Sequence, residues 1–261
     1  MTYQFILFEV DQGVARITLN RPDVLNSIHT AMSDEIQAAL AHAAREPGIR
    51  AVLLTGKGRG FCAGQDLDEV RPGGTVQDFA AHARTAYAPL VLGLRALEKP
   101  VVCAVNGVAA GAGANLALAC DLVLAAEEAS FVQSFAKIGL VPDTGGTFVL
   151  PRLVGMVRAT ALAMLAEKLT AAQAVEIGLI YRAVPAASLD AEASKLALHL
   201  ATQPTLGLGL TKRLLNAAWG NDLETQLELE AEAQGTAGRS ADYAEGVAAF
   251  LAKRKPVFTG H

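Results

Sequence analysis

Cysteine is scarce in this chain of 261 residues. Cys62, Cys103 and Cys120 are an odd, sparse set rather than a disulfide framework, so a reducing compartment, the cytoplasm, is expected. Their spacing fits no zinc pattern, and the five histidines form no ligand pair at helical spacing, so no metal is expected. Basic charge is not in excess. The net charge of −4 lacks the footprint of a nucleic-acid binder, although a local basic patch for an anionic ligand remains compatible with it. Long apolar runs are also missing. The longest, residues 101–119, is interrupted by Asn106, Gly107, Gly111, Gly113 and Asn115 and followed by Asp121, so it reads as buried core and not as a membrane span. The first ten residues contain Glu9 and no basic leader, so no signal peptide is expected. What is abundant is core material. Apolar residues make up 52% and charged residues 18%, which suits one large domain or two small ones and excludes disorder.

Residues 5–10 and 14–19 flank Asp11-Gln12-Gly13 and read as a hairpin. Met32, Ile36, Ala39, Leu40 and Ala43 recur at helical spacing over residues 30–45, which end at Glu46-Pro47-Gly48. Short apolar strands are predicted at 51–55, 101–105 and 122–126. Residues 56–64 read as a glycine-rich loop, 76–97 as a helix, and 139–146 as a second loop. Helices are predicted at 155–166, 171–177, 186–201, 205–219, 223–235 and 242–253. Mixed elements first and helices alone afterwards predict an α/β core followed by a helical layer, with no repeat of fixed period.

Three glycine-bearing loops carry the chemistry: Gly60–Leu67, Asn106–Leu116 and Gly139–Thr147. Such loops expose backbone N–H groups, and two together could hold a developing oxyanion. Each alone is more readily an ordinary tight turn. Gly111 and Gly113 lack the third glycine of a dinucleotide fingerprint, and neither a phosphate-binding G-x-x-x-x-G-K-[ST] loop nor a G-x-S-x-G elbow is present. Asp143 lies among Ile138, Leu140, Val141, Phe148 and Val149. It is either a desolvated base or a cap for the helix starting near Gly145. Asp66, Asp68 and Glu69 look like helix-start residues, and Asp121 like the anchor of a core turn. Cys62 has no adjacent histidine to make it a nucleophile. Asn115 is either the polar wall of a pocket or a core amide bonded to backbone. Arg21, Lys57, Arg59, Lys253, Arg254 and Lys255 could meet a phosphate-bearing ligand, the last three being by default a solvated run.

Taken in order, Leu19-Asn20-Arg21-Pro22 with Leu25-Asn26, the three loops, Cys120-Asp121, and Glu245-Gly246 with Phe250–Arg254 resemble the crotonase, or enoyl-CoA hydratase/isomerase, superfamily over essentially the whole chain. The resemblance implies an α/β fold: a crotonase-like spiral of ββα units over residues 1–200, with a C-terminal helical lid and oligomerisation region over 201–261. It implies an acyl-CoA substrate, no further cofactor, no membrane, and a homotrimer or dimer of trimers. The oxyanion donors would be the backbone N–H groups of Gln65 and Ala112. The CoA thioester would meet Arg21, Leu25, Ala63, Asp66, Leu67 and Asn115, with Phe250 and Lys253 offered by a neighbouring subunit.

Where hydratases of the superfamily carry two catalytic glutamates, this chain has Asn115 and Phe135. Asp143 instead supplies a carboxylate where hydratases have a small residue. The segments Gly58–Leu67, Leu140–Thr147, Ala201–Leu210 and Ala237–Tyr243 are similar to the branch that isomerises the ring 1,2-epoxide of phenylacetyl-CoA to an oxepin and shifts double bonds of 3-enoyl-CoAs. That branch implies Asp143 as acid and base, and contact with other enzymes of phenylacetate breakdown. The alternatives are a Δ3,Δ2-enoyl-CoA isomerase of β-oxidation with the same machinery, and a CoA-thioester-binding subunit without catalysis.

Overall fold

The computed structural model describes residues 3–261; Met1 and Thr2, the start of the segment read above for a leader, lie outside the described residues. The hairpin is formed by β1 (Ile6–Asp11) and β2 (Val14–Leu19), with Asp11 opposite Val14. Gln12 and Gly13 have φ of 46° and 80°, a two-residue turn that follows the twist of the strands. Helix α1 (Thr30–Arg45) buries Met32, Ile36, Ala39, Leu40 and Ala43, the face its periodicity predicts.

Three times the chain then lays a strand in a large sheet, a short strand in a small sheet, and helix. The first turn is β3 (Ala51–Gly56), β4 (Gly60–Cys62), and the helices α2 (Leu67–Val70), α3 (Phe79–His82) and α4 (Ala88–Ala96). The second is β5 (Val101–Val105), β6 (Val108–Ala110) and α5 (Ala112–Leu118). The third is β7 (Leu122–Ala126), β8 (Ser130–Val132) and α6 (Gly146–Leu165). After β9 (Leu169–Thr170), α7 (Ala171–Glu176) and β10 (Arg182–Val184), the chain is helical: α8 (Ala186–Ala201), α9 (Thr205–Ala217), α10 (Leu223–Ala237) and α11 (Ala241–Leu251). The large sheet runs β1-β2-β3-β5-β7-β10 and the small one β4-β6-β8-β9. This is the expected α/β spiral of ββα units with a helical C-terminal region. Strand β5 is buried along its whole length, because α8 packs across β3, β5 and β7 on one side of the sheet.

Three expectations need correction. Residues 56–64 are not one loop, because β4 occupies their centre. The helix expected over 76–97 is interrupted by a π-helical turn, Ala83–Tyr87, in which the Ala88 N–H reaches back five residues to the Ala83 carbonyl. Pro89 is the cause: it has no N–H for the Thr85 carbonyl and its ring crowds the preceding turn. Side chains of α1 take up the loosened carbonyls, with Ser33 Oγ donating to Ala86 O at 2.6 Å and Gln37 Nε2 to Thr85 O at 3.4 Å. Finally, the helix expected from 155 begins at Gly146. It passes Gly155, whose φ of 76° and ψ of 161° kink it. Helix α6 is apolar and long enough by composition to cross a membrane, but this kink divides it into two short helical pieces.

Asp121 anchors α9 to the spiral. Its carboxylate accepts from the Val101 N–H at 2.8 Å and from Lys212 Nζ at 2.8 Å, and pairs with Arg95 at 3.1 Å. Burial lowers the Lys212 ammonium pKa from its ordinary value, with Asp121 opposing.

Candidate active site

Strands β4, β6 and β8 are parallel neighbours, so the segments that follow them leave one end of the small sheet together. All three glycine loops emerge there, at the carboxyl ends of strands, where open α/β sheets place ligands.

After β4, Gly64 has φ of 95°. The Ile28 N–H donates to Gly64 O at 2.7 Å and the Asp66 N–H to Ile28 O at 2.9 Å. The intervening Gln65 N–H therefore points to the other side, and no backbone bond among the described residues takes it. After β6, Gly111 has φ of 51° and ψ of −124°, a conformation only glycine adopts readily. Ala112 opens α5, so its N–H has no acceptor within the helix. The two loops touch. A Cβ built on Gly64 would lie 2.8 Å from the Ala110 carbonyl oxygen and 3.4 Å from the Ala112 nitrogen. The loops that carry the Gln65 and Ala112 N–H groups thus lie against each other, and two such donors aimed at one oxygen are able to stabilise negative charge on it.

After β8 the chain passes Phe135 and returns as Pro142-Asp143-Thr144-Gly145. Asp143 does not cap α6: Gly145 holds the cap position and no side chain bonds there. The Asp143 carboxyl is half-buried, accepts from Thr144 Oγ1 at 2.8 Å, and forms no ion pair among the described residues. Burial raises its pKa above the ordinary value, with the Thr144 hydroxyl, its own backbone N–H and nearby His82 pulling the other way. Thr144, a β-branched residue, is held at φ of 50°, a strained conformation of the kind found at functional sites. Asn115 is buried in the core beneath this loop. Its Nδ2 donates to the Asp143 carbonyl at 2.8 Å, and its Oδ1 accepts from Gln133 Nε2 at 2.8 Å. Of its two sequence readings, the structure gives the core amide. Phe135 is buried with its ring beside Gly111.

Arg21 and Asp66 form an ion pair at 2.7 Å, and Arg21 also donates to Ser27 O at 2.6 Å. Burial acts to raise the Asp66 carboxyl, but Arg21 and the Asp68 N–H outweigh it and hold it below the usual range. Asp66 also caps α2 through Asp68. Leu25, at φ of 51°, lies against Gly60, and its carbonyl accepts from the Ala63 N–H at 2.9 Å. Leu67 is exposed beside them. Arg21, Leu25, Ala63, Asp66 and Leu67 thus line one side of the Gln65 loop. Phe250 and Lys253 are elsewhere, exposed at the end of α11. Phe250 borders a groove of about 420 Å³ with Tyr243, Val247, Leu251 and Phe258, and none of the loop residues lines it. Cys62 is fully buried and burial pushes its thiol up to about 12, closing it as a nucleophile.

Two residues near the loops were not singled out from the sequence. Tyr87 ends the π-turn and donates to Ile28 O at 3.4 Å; its phenol pKa is raised by burial and then by the charge of Asp143. His82 begins the turn and meets the Tyr87 ring edge-on at 5.2 Å. The only sequence signal for either was Pro89, which breaks the helical pattern at this point.

The enoyl-CoA hydratase/isomerase family model matches residues 9–261. The chain is 54% identical to the 1,2-epoxyphenylacetyl-CoA isomerase of Escherichia coli strain K12 over 259 residues, covering 98% of this chain and 99% of that one. It is 48% identical over 260 residues to a protein of Rhodobacter capsulatus described as a probable enoyl-CoA hydratase, covering all of both. Among solved structures, the enoyl-CoA hydratase of Bacillus anthracis superposes with a TM-score of 0.91 at 33% identity, over 99% of this chain and 100% of that one. With the ββα spiral and the paired glycine loops, these likenesses make the chain an enzyme of the enoyl-CoA hydratase/isomerase family, the crotonase superfamily.

Proposed function

We propose that this chain is an acyl-CoA isomerase that converts the ring 1,2-epoxide of phenylacetyl-CoA to its oxepin form and shifts the double bond of 3-enoyl-CoAs. The observation that carries this reading is a half-buried carboxyl, Asp143, with no ion-pair partner among the described residues, on the loop that Asn115 of α5 holds beside the touching Gly64 and Gly111 loops. The thioester oxygen takes the Gln65 and Ala112 N–H donors. Asp143, as carboxylate, accepts a proton from the carbon next to the carbonyl, and the C–H electron pair becomes an enolate held by the donors. The same group, now a carboxylic acid, returns the proton two carbons further along a 3-enoyl chain; with the ring epoxide, the C–C bond shared by the two rings breaks to give the seven-membered oxepin and the proton returns to a ring carbon. Hydration needs a second acid-base group to position water. Asn115 and Phe135, at the positions the superfamily resemblance gives to the hydratase glutamates, cannot supply it. Arg21, Leu25, Ala63, Asp66 and Leu67 contact the CoA portion. Asn115 supports the pocket from beneath.

The exposed apolar residues Met156, Val157, Met164 and Leu165 of α6, with Leu215 and Trp219, favour assembly into a homotrimer or dimer of trimers. Residues 201–261 serve that assembly around a 1–200 core. Phe250, in a groove that none of the loop residues lines, and Lys253, exposed just beyond α11, complete a neighbour's CoA site. The enzyme is cytoplasmic and needs no metal or cofactor beyond the substrate's CoA.

The test compares purified protein on a 3-enoyl-CoA, on crotonyl-CoA with water, and on the ring epoxide generated in situ. Isomerisation of the first and last, with hydration far slower, is expected. Hydration as fast as isomerisation overturns the single-carboxylate mechanism. Turnover of the 3-enoyl-CoA alone reassigns the enzyme to Δ3,Δ2-enoyl-CoA isomerisation, and binding without any turnover leaves a thioester-binding subunit.

A further inference from the structure

The proposed base and the proposed oxyanion donors sit on different loops, and a base works only when held at a fixed distance from them. The end of β8 joins the two. The Val132 carbonyl accepts from the Gly111 N–H at 2.9 Å, which pins the donor loop one residue before Ala112. The next residue, Gln133, reaches toward the base. Its Nε2 donates to Asn115 Oδ1 at 2.8 Å, and Asn115 Nδ2 donates to the Asp143 carbonyl at 2.8 Å. Both amides are buried. The order of donors has one solution. The Asp143 carbonyl can only accept, so Asn115 presents Nδ2 to it; Oδ1 then faces Gln133, which must donate. This orientation leaves Gln133 Oε1 buried with no hydrogen-bond partner among the described residues. An unpaired buried acceptor works against the fold, and a methionine would fill similar space without one. The one side-chain bond that the Gln133 amide forms is the bond to Asn115.

We propose that Gln133 is a positioning residue: through Asn115 it holds the Asp143 backbone at a fixed distance from the Gly111–Ala112 donor loop, so that base and oxyanion donors act on one substrate. This rests on the reading of Asp143 as the base and adds how that base is held. The terminal torsion of an asparagine side chain is soft, so Asn115 alone is a loose tether. A second bond, on its Oδ1, fixes the plane of the amide and with it the direction in which Nδ2 points.

Gln133→Met keeps the length of the side chain and removes the donor. On the acyl-CoA that the wild-type enzyme isomerises, it should lower kcat roughly tenfold, the scale of one net hydrogen bond, and change KM little. Its melting temperature should stay close to wild type, because the unpaired Gln133 Oε1 is lost and Asn115 Oδ1 becomes unpaired instead. Asn115→Leu breaks the link at its centre. In that background Gln133→Met should lower kcat no further, whereas effects that do not pass through Asn115 would add. Wild-type kcat in Gln133→Met overturns the inference. So does a rate loss that repeats in full in the Asn115→Leu background, or one accompanied by a clear fall in melting temperature. Asp143→Asn is assayed alongside. If the wild-type protein shows no turnover, or Asp143→Asn keeps it, the reading of Asp143 fails and the inference fails with it. If Asp143→Asn is inactive while Gln133→Met is unimpaired, only the inference fails.

Discussion

Asn115 and Asp143, 28 residues apart, are joined through the main chain: the Asn115 amide donates to the Asp143 carbonyl oxygen at 2.8 Å. The Asp143 backbone is thereby fixed without engaging its carboxyl, whose one side-chain partner among the described residues is Thr144 Oγ1. Gly146 is part of the arrangement, because a Cβ there would lie within van der Waals overlap of the Asn115 amide. Gly146→Ala should therefore push Asn115 aside and let the Asp143 loop drift. Misplacement of a reacting group by about 1 Å can cost roughly 10²-fold in rate. We expect kcat on a 3-enoyl-CoA to fall by that order while KM changes little. Unchanged kcat would remove the Asn115 contact from the positioning of the base.

Asp143→Asn should lower isomerase kcat by about 10²–10⁴-fold while acyl-CoA binding persists. In the wild-type enzyme kcat/KM should drop on the acid side at a pH above the ordinary carboxylate value of 3.8, because burial raises the Asp143 pKa and the base works only when ionised. A pH–rate profile locates that limb, and Asp143→Asn should lack it.

The same shift has a consequence for stability. A carboxyl whose pKa is raised on folding binds its proton more tightly in the native state, so its contribution favours the fold below 3.8 and is lost as pH rises through the native value. Asp143→Asn should melt higher than wild type at pH 7, with the gap closing toward pH 4. A melting temperature lower than wild type at pH 7 contradicts a desolvated Asp143.

Gly64→Ala tests the close approach of the two donor loops. At φ of 95° an alanine is strained, and its Cβ would meet the Ala110 carbonyl oxygen at 2.8 Å. The loops must separate, so the paired N–H groups lose their common target. Losing one such donor typically lowers kcat about 10²–10³-fold. A variant of near-wild-type kcat that still folds would show that the donors are not used.

Asp121→Ala leaves Lys212 buried without its carboxylate. Breaking one side of a buried pair costs about 3–5 kcal/mol, read as a lower urea midpoint. Lys212→Met, which removes the charge and retains the packing, should cost clearly less. Equal losses would place the effect in packing and not in the ion pair.

The amino-acid sequence by itself determined the local elements whose cause is local. The β1–β2 turn follows from Gln12-Gly13, and α1 from the spacing of Met32, Ile36 and Leu40 between His29 and Glu46. It also presented the three glycine loops and the carboxylate at Asp143 in an apolar stretch. Tertiary structure decided the rest. Strands of three residues such as β4, β6 and β8 carry too few side chains to show a period, and only pairing with one another makes them a sheet. Once they pair in parallel, the three loops necessarily share one end. Neither the contact of Gly64 with Ala110 nor that of Asn115 with Asp143 could be read from spacing. The two roles left open for Asn115 were separated only by burial and a hydrogen-bond partner. His82 looked like one more residue in a helical run. The π-turn that Pro89 imposes, stapled by Ser33 and Gln37 from a distant helix, carried it to Tyr87, because a lost backbone bond must be made good by whatever the fold brings near.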